Sequence, residues 1–240
     1  MNNNPILVDK IIGTELLGVE AVLSMPGRVY TFLNPVSYLS AMDDRELFAR
    51  FDGVFADGSL LVSAIRLLYG RTVTRRSFDM TSLAPVVLDH ACRTGKSVYI
   101  VGSRQEEAGR AVAIFSSRWP GLRVAGCRSG YFASEAEMRA EAQSIVSTAP
   151  DFLIVGMGVM AQERFLLMVR EAGFGGIGFT CGGFIRQTAA GQAEHYYPAW
   201  ADRLNLRFVY RMYKEKHTRK RYAQAALLFP ARFIAERLFG

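Results

Sequence analysis

Six short runs of apolar and β-branched residues punctuate the chain, and each gives way to a glycine, a polar stretch or a segment with helical periodicity. They are RVYTFLN (28–34), GVFA (53–56), SVYIVGS (97–103), LRVAGC (122–127), DFLIVGMG (151–158) and GGIGFTCGG (175–183). Several are apolar almost throughout, as in strands covered on both faces. Between them lie longer segments of helical period. Residues 35–50 read as helix or turn, 59–70 carry Leu60, Leu61, Ala64, Leu67 and Leu68 on a helical spacing, and 82–95 end at the helix-closing Gly95. Alternation of this kind specifies an α/β fold: a mainly parallel, Rossmann-like sheet flanked by helices, with right-handed crossovers expected.

Sheets of this class place their reactive loops beyond the carboxyl ends of the strands. Asn34, Asp57, Gly102 with Ser103, Gly156 to Gly158, and Gly182 with Gly183 all fall at such ends. A shared crevice is therefore expected there. With 240 residues the chain is long enough for one α/β domain with a sizeable core. Its three cysteines, Cys92, Cys127 and Cys181, form neither a CxxC pair nor a Cys/His cluster, which points to buried thiols in a reducing compartment without structural zinc. The opening MNNNPILVDK lacks the features of a signal peptide, and no uncharged apolar run reaches the 18 residues of a membrane span.

The net charge of +7 is informative once it is located. Residues 1–206 hold 20 basic and 20 acidic side chains, whereas 207–240 hold 9 against 2. The chain accordingly divides into a neutral core, 1–206, and a basic amphipathic helical appendage, 207–240. Aromatic residues such as Tyr210, Tyr213 and Tyr222 interleave with its cations, and bulky apolar residues follow from Leu227 to Phe239. That chemistry suits an anionic membrane surface. A protein contact or a nucleic acid could use parts of it, but no complete nucleic-acid-binding motif is present.

Asp57 follows Phe55 and Ala56 directly and precedes a helix-period segment. It reads either as a helix cap or as a general base for a hydroxyl nucleophile. In GMGVMAQE (156–163), Gly156 and Gly158 let the backbone approach a ligand, and the following helix start could hold phosphate. The stretch matches part of a dinucleotide fingerprint, but the acidic ribose reader expected about 20 residues later is missing, so a nicotinamide or flavin cofactor is not expected. Gln162 and Glu163 are placed to bond a nucleobase or sugar. In RTVTRRSFDMT (71–81), Arg71, Arg75 and Arg76 precede Asp79, a pattern that either clamps diphosphate or forms a solvated turn in which Asp79 caps the next helix. His90, His195 and His217 are too scattered to suggest a metal site, and there is no D-x-D pair.

Taken together, the pieces resemble the WecG/TagA/CpsF family of bacterial glycosyltransferases. The resemblance rests on Asn34-Pro35, Asp57-Gly58, Gly130-Tyr131-Phe132, Asp151 with VGMGVMAQE, Gly182-Gly183, LRFVYRMYKEK and Arg221-Tyr222, in that order over roughly residues 10–225. It implies an inverting, metal-independent transfer of sugar from a nucleoside-diphosphate donor to a polyprenyl-diphosphate-linked sugar. The setting implied is the cytoplasmic face of the inner or plasma membrane, with the enzyme bound peripherally, in cell-surface or exopolysaccharide synthesis. A homo-oligomer is left open. The family's proposed base carries over to Asp57 and its donor-side glutamine to Gln162. Basic residues that close over the diphosphates match Arg211 and Arg221 best. The remaining expected substrate contacts are Asn34, Gly58, Arg75, Arg76, Asp79, Gly102, Gly156, Gly158, Glu163, Gly182 and Gly183.

This sequence departs from the family pattern at several points. Phe32 stands where a T-x-N threonine is usual, which shifts the hydroxyl expected at the reacting centre to Thr31. Thr74 occupies an arginine position, and Met160 replaces the proline before QE. YYP at 196–198, LRF at 206–208 and Lys216 depart as well, marking a divergent branch. A different class, a membrane-attached nucleotide-sugar or phosphate-binding module without turnover, would show binding but no sugar transfer.

Overall fold

Every one of the six runs is a strand in a computed structural model of the chain, which describes residues 7–13, 19–191, 207–214 and 219–239. They are β1 Val29–Leu33, β2 Gly53–Ala56, β3 Ser97–Gly102, β4 Arg123–Arg128, β5 Phe152–Gly156 and β6 Ile177–Thr180. All pairings are parallel, in the order β2-β1-β6-β5-β3-β4. The chain fills one edge with β2 and the other with β4, then returns so that β5 and β6 lie between β3 and β1. The strand ends on either side of this junction form the crevice typical of open parallel sheets.

Helices follow the apolar spacing. They are α1 Val19–Leu23, α2 Pro35–Asp43, α3 Arg45–Ala49, α4 Ser59–Tyr69, α5 Leu83–Thr94, α6 Gln105–Arg118, α7 Glu135–Thr148, α8 Ala161–Glu171 and α9 Phe184–Ala189. The segment 35–50 divides in two because Asp44 leaves the helical conformation and its carboxylate caps α3 through the Leu47 amide at 3.3 Å. Gly95 ends α5 with φ of 66°, the left-handed conformation that glycine adopts without strain.

Side-chain alternation along the strands divides the core into two layers. Val29 and Leu33 of β1 face a layer built with α2, α3, α4, α7 and α8, while Tyr30 faces the layer of α1, α5, α6 and α9. Thr31 shares the face of Val29 and Leu33, which turns its hydroxyl toward α8 rather than toward Phe32's side.

Two further helices, Arg207–Lys214 and Arg219–Phe239, form the basic appendage. The division at 206/207 is drawn on charge, and the second of these helices also packs on the core. Ala225, Phe229, Phe233 and Glu236 recur on one face of the C-terminal helix and are buried on the core. Phe233 stacks with Phe229 and meets the rings of Tyr38 at 5.2 Å and Tyr69 at 5.5 Å. Glu236 accepts from the Tyr38 hydroxyl at 2.6 Å and pairs with Arg45 of α3. Among the described residues no helix is long and apolar enough to cross a membrane. Residues 196–198, Lys216, His195 and His217 lie outside the described residues.

Candidate active site

A cavity of about 860 Å³ opens at the carboxyl ends of the strands, within the size range of small-molecule sites. Asp57 reaches it from the end of β2, where its amide donates to the Leu33 carbonyl at 2.8 Å and so continues the sheet pairing. The cap position of α4 belongs to Gly58, whose φ of 108° excludes most side chains and which makes no side-chain cap bond. Asp57 thus stands beside the helix start with its carboxylate one-third exposed and 3.9 Å from the Arg75 guanidinium. A carboxylate at that position can take a proton and has a cation close by.

Asn34 lines the same wall from β1, while its Oδ1 caps α2 through the amides of Val36 and Ser37 at 3.0 and 3.1 Å. Of the three arginines near residue 75, only Arg75 lines the cavity. Arg71 instead donates to the carbonyls of Val8 and Ile11, and Arg76 continues the sheet edge by donating its amide to Ala56. Asp79 also borders the cavity, and its carboxylate organises the turn by accepting from Ser77 and Thr81. The cap position of α5 is Ser82.

The middle of the cavity floor is bare backbone. At Gly156 an added Cβ would lie 2.8 Å from both Cys181 Sγ and the Gly182 carbonyl oxygen, while Gly158 has φ of 88° and Gly182 has φ of 56°. Gly183 caps α9 beside them. Gly102 does not reach the cavity wall: its Cα packs against Gly156, where a Cβ would stand 2.5 Å from that carbonyl oxygen. Ser103 lines the cavity in its place, with φ of 58°.

Beneath this floor runs a buried polar chain. Gln162 accepts the Gly182 amide at 3.0 Å and donates to Glu163 at 2.8 Å. Thr31 donates to Glu163 at 2.9 Å and lies 2.8 Å from the Thr180 hydroxyl, and the Met160 amide donates to Glu163 at 2.7 Å. Gln162 lines the cavity, but Glu163 and Thr31 do not; they are 1% and 0% exposed. Strand alternation is the reason, because Thr31 points to the α8 layer and Phe32 takes the cavity wall. The two therefore support Gln162 from below.

Burial raises the Glu163 pKa above the ordinary carboxylate value, against hydrogen bonds that lower it. The folded state then keeps this proton to higher pH than the unfolded chain. Stability should fall as pH rises from about 4.3, the free glutamate value, through the raised folded pKa. Glu163→Gln has no proton to lose, so thermal melts from pH 4 to 8 should show wild type declining relative to the variant across that window. A parallel pair of curves would contradict this.

Arg221, Tyr222 and Met212 of the appendage close one side of the cavity. Arg211 belongs to the helix Arg207–Lys214, and its side chain lies outside what the structure describes. Arg186 of α9 and Tyr131 of the loop after β4 also line the cavity, and sequence reasoning did not single them out as contacts. For Arg186 the available signal was a cation four residues after Gly182 at a strand end. Among the described residues no group of three or more His, Cys, Asp or Glu side chains could hold a metal ion.

Known proteins resemble this arrangement over most of its length. A β-1,4-galactosyltransferase of Shigella boydii, named for UDP-Gal and α-D-GlcNAc-diphosphoundecaprenol, is 34% identical over 88% of this chain and 87% of its own. The N-acetylglucosaminyldiphosphoundecaprenol N-acetyl-β-D-mannosaminyltransferase of Bacillus subtilis (strain 168) is 26% identical over 78% of this chain and 71% of its own. The family model described as Glycosyl transferase WecG/TagA/CpsF matches residues 14–240. The chain belongs to the WecG/TagA/CpsF family of glycosyl transferases.

Proposed function

We propose that this glycosyltransferase moves a sugar from a nucleoside-diphosphate donor to a polyprenyl-diphosphate-linked acceptor, with inversion at the anomeric carbon. The observation that carries the mechanism is Asp57 at the end of β2, on the cavity wall and beside Arg75. The acceptor hydroxyl oxygen attacks the anomeric carbon and its proton passes to the Asp57 carboxylate. The bond from that carbon to the donor phosphate breaks, and its electron pair leaves with the nucleoside diphosphate. Arg75, Arg186 and Arg221 line the cavity where that charge develops, and the bare backbone of Gly158 and Gly182 leaves room for phosphate oxygens. The start of α8, at Ala161, adds a favourable helix dipole.

The names of the two relatives support the donor and acceptor classes. The basic appendage supports peripheral attachment at the cytoplasmic face of a bacterial membrane, in synthesis of a cell-surface polysaccharide. Lys220 leads into an exposed face of the C-terminal helix carrying Leu227, Ile234 and Leu238, opposite the stripe that packs on the core. A cation beside apolar side chains on one helix face suits an anionic headgroup layer.

With arginines meeting the leaving-group charge, transfer should proceed without added metal. The test uses metal-stripped full-length protein, a panel of radiolabelled nucleotide-sugars and a synthetic polyprenyl-diphosphate-sugar, with and without excess chelator. Comparable transfer in both arms is expected. Activity that collapses with chelator and returns with Mg²⁺ would contradict the charge assignment, and binding without transfer across the panel would favour a non-catalytic module.

A further inference from the structure

The cavity has two sides, one over each layer of the core. The side over α5 and α9 carries Asp79, Arg186 and Gln187. The side over α2 and α4 carries Pro35, Val36 and Leu60, joined there by Ala223 and Ala226 of the C-terminal helix. These three helices meet at the cavity mouth. The start of α4 touches the start of α2, because a Cβ on Gly58 would lie 3.8 Å from Pro35. One turn along, Tyr38 of α2 meets Phe229 of the C-terminal helix at 5.8 Å between ring centres, and Arg232 pairs with Asp43 further on. The two helices therefore run side by side in the same direction, which sets Ala223 and Ala226 level with Pro35 and Val36.

The aliphatic side continues out of the cavity. Leu60 is 48% exposed at the mouth, where a polar residue would cost nothing to hydrate. Ala223 shares one face of the C-terminal helix with Leu227, Ile234 and Leu238, and Leu227 is 79% exposed. The outward apolar face of that helix thus begins at the cavity wall. Neither a nucleoside diphosphate nor a sugar has branched hydrocarbon to cover such side chains. The isoprenoid of the acceptor is the one part of either proposed substrate that does.

We infer that this side of the cavity is the lane for the acceptor's isoprenoid chain. The chain runs from its diphosphate between Val36 and Leu60 on one flank and Ala223 and Ala226 on the other, and leaves over Leu227. The inference rests on the proposed polyprenyl-diphosphate acceptor and adds where its hydrocarbon lies. Alanine at 223 and 226 keeps the helix wall low enough for a methyl-branched chain, which bulkier side chains would obstruct. Recognition of the chain is then separable from attachment to a membrane. The lane acts on an acceptor free in solution, whereas a headgroup layer requires a bilayer.

Transfer by the full chain, in solution free of detergent and vesicles, tests this with sugar diphosphates carrying one, two or three isoprene units. In wild type the acceptor KM should fall about 10- to 100-fold from one unit to three, the gain for a partly covered hydrocarbon. Leu60→Gln and Ala226→Gln, both at exposed positions, should each cut that gain to about 3-fold or less. Leu67→Gln, on α4 but outside the cavity and 83% exposed, should keep the gain in full. A wild type without a chain-length gain, or Leu60→Gln and Ala226→Gln chains that keep it, would overturn the lane. So would an equal loss on all three acceptors, which marks damage to the fold or the chemistry. Transfer to a free sugar but to none of the three prenyl-diphosphate sugars would instead bring down the acceptor reading itself.

Discussion

Asp57→Asn should retain the fold and bind donor while losing turnover by roughly 10²- to 10⁴-fold, the usual range for a lost acid–base group. The fold should survive because Gly58, not residue 57, holds the cap position of α4, and asparagine matches aspartate in size. The sheet contact at this position is made by the backbone, through the amide of residue 57 and the Leu33 carbonyl. An asparagine keeps the shape and polarity of the side chain beside Arg75 but cannot accept the acceptor's proton at neutral pH. Turnover at saturating donor and acceptor, with a melt of each protein, is the measurement. Near-normal turnover in a folded Asp57→Asn chain would move the base elsewhere in the cavity.

The strand ends were legible in the sequence because both-face burial demands apolar runs, and a carboxylate or a glycine pair interrupting one is conspicuous. Asp57, Gly156, Gly158 and Gly182 were found that way, and all four border the cavity. Glu163 and Thr31 show what such reading misses. Their place beneath the floor depends on which way β1 and α8 turn their side chains, and that is fixed only when β1 lies beside β6. Arg71 and Arg75 look equivalent in the sequence. The first is drawn off to the carbonyls of Val8 and Ile11, a tertiary contact with no local signature. In the appendage, charge alone did not reveal that Phe229 and Phe233 pack on the core, because a helix with apolar residues on both its inward and outward faces gives little periodic signal.

That double character leads to the second large effect. Phe233→Ala should destabilise the protein by about 3–5 kcal/mol, the cost of deleting a fully buried phenylalanine and leaving a cavity. The ring is 1% exposed and touches Phe229, Tyr38 and Tyr69, so neighbouring elements cannot close the gap without moving α2 and α4. Removing the entire C-terminal helix should be worse, because it also strips Glu236 from the Arg45 guanidinium and the Tyr38 hydroxyl. Arg221→Ala should do the opposite. The residue is exposed at the cavity, so stability should change by less than about 0.5 kcal/mol. Transfer should fall on the order of 10²-fold, because its charge meets the leaving diphosphate. Urea denaturation alongside turnover separates the two tasks. A Phe233→Ala chain as stable as wild type would show that the helix is not part of the core, and full activity in Arg221→Ala would remove it from the diphosphate site.

The central claim is a single displacement at the anomeric carbon, driven by one carboxylate at the end of β2. The stereochemistry of the product tests it most directly. Full-length protein is incubated with the nucleotide-sugar it accepts and a short synthetic polyprenyl-diphosphate-sugar, and the new glycosidic bond is assigned by NMR. An α-linked donor should give a β-linked product. Retention of the donor's configuration would require a second displacement and a nucleophile that this account does not contain, and would contradict it.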